Sequence, residues 1–272
     1  MTNENLAMKK LGRLGTVCLA ISAALVCGIS GAMAAQCGTS AAGFEAWKQQ
    51  LAGEAQAKGV GAAGISALRT ANYATATIAA DRGQRSFRLS LDQFLAKRGG
   101  AAIVARGRSQ KQTHAALFAS IERQYGVPPG PLIAIWGMET AFGSQRGSQS
   151  ALSAVATLAY DCRRSEFFTD QLYAALKLVD RGVLTAGTRG SMHGEIGQTQ
   201  FLPKNILNYG TGNLDVATNA LTSTANFLKA HGWRTGAGYQ PGEANFAAIQ
   251  AWNAATVYQQ AIAQIGRQID GR

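Results

Sequence analysis

Glu139 is the residue best placed in this sequence for acid chemistry. It closes the apolar run Leu132-Ile133-Ala134-Ile135-Trp136-Gly137-Met138, so it has apolar neighbours both along the chain and one helical turn back. Desolvation disfavours a charged carboxyl, so its pKa should rise toward the working pH, where a general acid can protonate a glycosidic oxygen. The competing reading is a glutamate on an exposed face, or one that caps another element. A second constellation lies downstream, Gly190-Ser191-Met192-His193-Gly194-Glu195-Ile196-Gly197-Gln198-Thr199-Gln200-Phe201-Leu202-Pro203. Its small residues alternate with hydroxyl and amide side chains, which suits hydrogen bonding to sugar hydroxyls and N-acetyl groups. A tight loop that satisfies its own backbone would show the same composition.

A mainly helical pattern must position these residues. Phe44, Trp47 and Leu51 recur at three and four, which predicts an amphipathic helix from Phe44 to about Ala57. Another helical stretch begins near Gly61. From Ile78 to Phe94 the chain turns polar and basic, and Ser86-Phe87-Arg88-Leu89-Ser90 reads as a short strand or an extended arm. Lys111 to Tyr125 sets Leu117, Phe118, Ile121 and Tyr125 on one face, and Gly126 with Pro128-Pro129 stops it. Pro129-Gly130-Pro131 then opens the run that carries Glu139, read as a largely buried helix. Ser165 before Glu166-Phe167-Phe168, with Leu172, Leu176 and Val179 in period, predicts a capped helix that leaves through Arg181-Gly182. Gly187 to Gln200 is a glycine-rich loop leading into a short helix near Phe201-Leu202-Pro203, built for a close backbone approach. Asp215 to His231 is again helical, closed by Gly232 with Trp233, and a final helix is expected from about Asn245 to Ile269. Strand signals are sparse and there is no internal repeat.

With 272 residues, 47% of them apolar, the chain can bury one sizeable core with a smaller lobe, placed within about residues 61–110. Lys9, Lys10 and Arg13, an apolar run from about Thr16 to Ile29, and Ala32-Met33-Ala34 form the pattern of a secretory signal peptide over residues 1–34. The alternative, an uncleaved anchor helix, would want about 20 apolar residues, more than this run offers. Leu25-Val26 before Cys27 is a poor match to an acylation box. Cleavage removes Lys9, Lys10, Arg13 and Glu4 from a total of 26 basic and 15 acidic residues, and leaves residues 35–272 strongly basic. Such a field gathers anionic partners, and a periplasmic protein would meet anionic lipid and the carboxylate-bearing wall. Nucleic acid is disfavoured, because the basic residues are scattered and no binding motif accompanies them. Cys37 and Cys162 survive cleavage into an oxidising compartment, which suggests a disulfide; two separate buried thiols are the alternative. His114, His193 and His231 lack ligand spacing, and no phosphate-binding loop or dinucleotide fingerprint occurs, so no metal and no cofactor is expected.

Gly137-Met138-Glu139-Thr140 with Phe142-Gly143, and Gly194-Glu195-Ile196-Gly197-Gln198-Thr199-Gln200-Phe201-Leu202-Pro203, resemble the lytic murein transglycosylase B family. Arg163-Arg164 with Phe167-Phe168, Ser223 to Leu228 through Gly232-Trp233, and Trp252-Asn253 with Tyr258 agree in order. The resemblance spans about Phe44 to the carboxyl end. It implies a mainly α, lysozyme-like α+β fold: a helical core with a substrate cleft and few short strands, forming one catalytic domain over residues 35–272. It also implies that Glu139 protonates the β-1,4 bond between N-acetylmuramic acid (MurNAc) and N-acetylglucosamine (GlcNAc) in peptidoglycan. Glu139 then acts as base while the muramic 6-hydroxyl closes a 1,6-anhydro ring, which departs from the paired-carboxylate scheme of most glycosidases.

By the same matching Ser191, Gln200, Asn253, Tyr258 and Glu195 are expected to contact the glycan, and Arg164 a lactyl or peptide carboxylate. The alternatives are that Asn253 and Tyr258 tie the last helix to the core, that Arg164 pairs with Asp161 or Glu166, and that Glu195 orients its loop or takes a catalytic part. Trp136, Phe142 and Trp252 either stack on sugars or belong to the core. Related enzymes often carry a calcium loop after the Phe-Leu-Pro segment; Asn208 to Asp215 is too short for one. The expected partners are peptidoglycan glycan strands, with peripheral contact to membrane or wall-assembly proteins, and the protein is expected to be a monomer. Rival functions are a hydrolytic muramidase and a noncatalytic peptidoglycan-binding module.

Overall fold

The computed structural model describes residues 35–83 and 89–271. The expected signal peptide, residues 1–34, and Ser86-Phe87-Arg88 of the expected strand or arm lie outside the described residues. The described helices are α1 (Phe44–Ala57), α2 (Ala62–Thr70), α3 (Thr75–Arg82), α4 (Leu91–Arg98), α5 (Gly100–Thr113), α6 (Ala115–Tyr125), α7 (Pro129–Thr140), α8 (Ala151–Tyr160), α9 (Ser165–Asp180), α10 (Pro203–Tyr209), α11 (Ala217–Ala230), α12 (Phe246–Trp252) and α13 (Thr256–Asp270). Two short antiparallel strands, β1 (Gln149–Ser150) and β2 (Arg189–Gly190), pair Gln149 with Gly190 and Ser150 with Arg189.

Two apolar clusters hold the chain together. The larger gathers residues of α4 to α7 and α11 to α13, with Leu132, Ile133 and Ile135 of α7 fully buried inside it. The smaller joins α1, α2, α8 and α9 through Phe44, Leu51, Leu68, Leu158 and Leu172. Each such side chain withdrawn from water contributes about 1.5–3 kcal/mol. Every residue of α8 is buried, which explains why no amphipathic stripe marks it in the sequence.

α7 packs closely against α13 because two glycines meet. A Cβ on Gly130 would come within 2.3 Å of the Gly266 carbonyl oxygen, and one on Gly266 within 3.0 Å of Gly130 backbone. The start of α7 has no side-chain cap of its own. Asp270, at the far end of α13, takes the Gly130 amide at 2.8 Å and the Tyr239 hydroxyl at 2.7 Å. Asp180, ending α9, does the same for α2, accepting from the amides of Gly61 and Gly64 at 2.6 and 2.7 Å. A carboxylate at a helix N-terminus satisfies orphan amides and favours the helix dipole.

Three expected elements differ in the structure. The single stretch from Lys111 to Tyr125 is divided at His114, whose φ of −110° and ψ of 28° part α5 from α6. Ser165 does not cap α9: its hydroxyl donates to the Ala159 carbonyl at 2.6 Å, and α9 begins with no side-chain cap. The final helix is broken between α12 and α13, where Asn253 is extended and its Oδ1 accepts from the Ala255 amide at 2.9 Å. An asparagine that bonds its own backbone two residues on competes with helix continuation. Cys37 and Cys162 form a disulfide, with Cα atoms 4.9 Å apart, which ties the segment before α1 to the turn before α9. Among the described residues no helix is long and apolar enough to cross a membrane.

Candidate active site

The carboxyl end of α7 is held in an unusual backbone path. Ala141, Phe142 and Gly143 all take positive φ, at 47°, 61° and 83°. For the two residues with a side chain this costs about 1–2 kcal/mol each, so the surroundings must enforce it. The Thr140 hydroxyl supplies much of that enforcement: it donates to the Gln198 carbonyl at 2.6 Å and accepts from the Gly143 amide at 2.9 Å. The Gln198 side chain continues the link, accepting from the Trp136 indole at 2.8 Å and donating to the Asp215 carbonyl at 2.7 Å. Helix end and glycine-rich loop are thus pinned to one another beside Glu139.

The loop itself is tightly wound. Ile196 and Phe201 exchange backbone hydrogen bonds at 2.9 Å across a turn that includes Gln200 at a φ of 53°. Gly197 has a positive φ, and a Cβ there would lie 2.3 Å from the Leu214 side chain, so only glycine fits. The Ser191 hydroxyl accepts from the amides of His193 and Glu195 and donates to Glu195 Oε2 at 2.8 Å, which fixes the Glu195 carboxylate.

Glu139 is partly buried, and two side chains from the broken carboxyl-terminal pair of helices reach it. Tyr258 of α13 donates its hydroxyl to Oε1 at 2.7 Å, and Trp252 of α12 its indole N–H to the same oxygen at 3.3 Å. Burial raises the Glu139 pKa from 4.5 to about 7, and the charge of Glu195 adds to the rise; the Tyr258 and Trp252 hydrogen bonds and the Arg98 charge pull it down. Tyr258 is held well above its ordinary value, first by burial and then by the charge of Glu139, so it stays a donor. A carboxyl poised near neutrality can both give and take a proton.

A groove of about 490 Å³ opens beside these groups, lined by Arg164, Phe167, His193, Glu195, Trp252 and Asn253 among others. A depression of about 530 Å³ elsewhere, with Gln260, Gln264 and Arg267 in its lining, includes no carboxylic acid. The structure thus brings together Glu139, Tyr258, Glu195, Asn253 and Arg164, with Ser191 bonded to Glu195. Gln200 is turned toward the loop, its amide nitrogen donating to the Gly197 carbonyl at 2.8 Å and the Arg146 carbonyl at 3.4 Å. Arg164 pairs with neither Asp161 nor Glu166. Its partner is Asp81 of α3, which also binds Arg163 and stands 3.9 Å from His193 Nε2. Asp161 pairs instead with Arg82 at 2.9 Å. Trp136 is core, packed edge-on to Phe142 at 5.4 Å.

Sequence reasoning missed Asp81 and Arg98 as neighbours of the site. Both lie in the stretch between Ile78 and Gly99, where no motif marks them. The hydrogen bond from Trp252 to Glu139 had a signal, the adjacency of Trp252 and Asn253 in a matching block.

The mainly helical fold, with Glu139 at a helix end, is similar to the folds of solved lytic transglycosylases. Residues 43–241 match the family described as Transglycosylase SLT domain, well over half of the chain, and the chain belongs to that family. It is 36% identical to membrane-bound lytic murein transglycosylase B of Escherichia coli (strain K12) over 121 residues, 41% of this chain and 34% of that protein. That match spans about a third of the relative's length. Among solved structures, SltB3 of Pseudomonas aeruginosa in complex with NAG-NAM-pentapeptide is similar with a TM-score of 0.77 and 26% identity, over 84% of this chain and 80% of that one. The Escherichia coli lytic transglycosylase Slt35 in complex with bulgecin A gives a TM-score of 0.73 at 22% identity, over 87% and 96% of the two chains, a likeness of fold alone. The resemblance and the mainly helical fold read from the sequence are both borne out.

Proposed function

We propose that the chain is a lytic transglycosylase that cleaves the MurNAc-GlcNAc β-1,4 bond of peptidoglycan and leaves 1,6-anhydro-MurNAc ends. The observation that carries this reading is the Glu139 carboxyl, poised at about pH 7 with neutral donors on one oxygen. Glu139 gives its proton to the glycosidic oxygen as the bond to muramic C1 breaks. The muramic 6-hydroxyl oxygen then bonds to C1 and returns its proton to Glu139, so no water is consumed. Glu195 is held by Ser191 rather than presented as a nucleophile.

Placement in or beside the groove supports glycan contacts for Ser191, Asn253, Tyr258 and Glu195. For Gln200 the amide oxygen is the group offered to the glycan, since its nitrogen serves the loop. Arg164, oriented by Asp81, meets a lactyl or peptide carboxylate. The basic charge and the expected signal peptide support a periplasmic enzyme, with residues 35–272 as its catalytic domain, acting as a monomer on glycan strands.

The test is digestion of purified peptidoglycan by the protein and by Glu139→Gln, with muropeptide masses determined. Anhydro ends from the native protein and none from the variant are expected. Reducing ends, heavier by one water, would make it a hydrolytic muramidase. No products from either, with wall binding retained, would make it a noncatalytic binding module.

A further inference from the structure

Arg98 is the last residue of α4, just before Gly99, whose left-handed backbone at a φ of 69° turns the chain directly into α5. Its guanidinium carbon lies 5.9 Å from the centre of the Tyr258 ring and 5.5 Å from that of Phe94. Phe94 is fully buried and meets Tyr258 edge-on, with ring centres 5.9 Å apart. Arg98, Phe94 and the phenol that bonds Glu139 therefore form one three-membered cluster, with Arg98 over both rings. A guanidinium over aromatic faces holds them by the ring quadrupole and by its own flat shape, which an ammonium group does not reproduce.

We propose that Arg98 is a positioning residue of this site. It holds the Tyr258 ring, and through its hydroxyl the Glu139 carboxyl, in the orientation proton transfer needs, and it offers a positive charge to the carboxylate once the proton has left. This rests on the acid-then-base role proposed above. Charged and titratable groups around Glu139 come from three directions: Glu195 from the glycine-rich loop, Arg98 from α4 and Tyr258 from α13. Glu195 favours the protonated form and Arg98 the ionised form, so the two oppose each other across one reaction cycle. Arg98 acts in the same direction as the hydrogen bonds from Tyr258 and Trp252, which also favour the ionised form.

The experiment compares Arg98→Gln and Arg98→Lys with the native protein in two ways. The first is a pH profile of anhydro-muropeptide release. The second, which needs no turnover, is a carbon NMR titration of glutamate side chains, with Glu139→Gln assigning the Glu139 signal. Removing the positive charge should raise the Glu139 midpoint and move the alkaline limb of the profile to higher pH. Turnover at its optimum should fall about tenfold, the change given by about 1.4 kcal/mol. Arg98→Lys should restore the midpoint while turnover stays low, because charge returns without the flat stack. An unchanged midpoint in Arg98→Gln would overturn the proposal, as would full turnover in that variant. Failure of the transglycosylase reading shows separately, as absence of anhydro products from the native protein.

Discussion

Glu139 at the end of α7 and Asp81 in α3 are both withdrawn from water, but Glu139 bonds neutral donors directly and feels Glu195 more strongly than the guanidinium of Arg98, whereas Asp81 pairs directly with two guanidinium groups. The same functional group is thereby put to two uses. One becomes an acid that exchanges its proton near neutrality. The other becomes a fixed anion that orients Arg163 and Arg164 at the mouth of α9. What separates them is the charge of the company each keeps, more than the depth at which it lies.

The largest effect expected from breaking this contrast is on turnover. Glu139→Gln should lower anhydro-product release by about a thousandfold or more, since the proton donor itself is gone. Next comes stability: Asp81→Ala leaves two guanidiniums beside a buried gap and should cost about 3 kcal/mol in urea unfolding, a discounted value because both arginines reach solvent. An equal loss from Arg163→Ala and Arg164→Ala combined would trace the cost to the pairs.

An effect of similar size concerns pH. The folded-state pKa of Glu139, about 7, lies above its unfolded value, so the folded form holds the proton more firmly. The stability this adds is complete below the unfolded pKa and is lost as pH rises through about 7. The stability of the native protein relative to Glu139→Gln should therefore fall by about 3 kcal/mol over that interval. A constant difference between the two proteins would deny Glu139 its raised pKa. The smallest effect sharpens the comparison: Glu195→Gln removes the like charge, lowers the Glu139 pKa and should move the alkaline limb of activity to lower pH.

The acid was legible in the sequence because its environment is local: the apolar run of α7 surrounds Glu139 along the chain itself. α1 and the glycine-rich loop were legible for the same reason, through stripe and composition. Asp81 was not, since its partners lie 82 and 83 residues away in sequence. The break at Asn253 was hidden because Ala254 and Ala255 continue a helical composition, and only the asparagine's bond to the Ala255 amide interrupts it. α8 left no stripe because every one of its faces is covered. Short-range patterns thus reveal the buried carboxyl of Glu139, while the groups that tune it arrive from distant segments.

The cap that Asp270 places on α7 has a consequence for the order in which the molecule is made. Gly130 waits for a partner 140 residues further along the chain, and Glu139 for Tyr258, 119 residues on. In a chain made from its amino end, both partners follow long after α7 has been synthesised. Until α13 docks, the acid lacks its phenol and the helix that bears it lacks its anchor. A centre wired in this way is completed late, so a nascent chain carries the glutamate before its phenol partner and its anchor arrive.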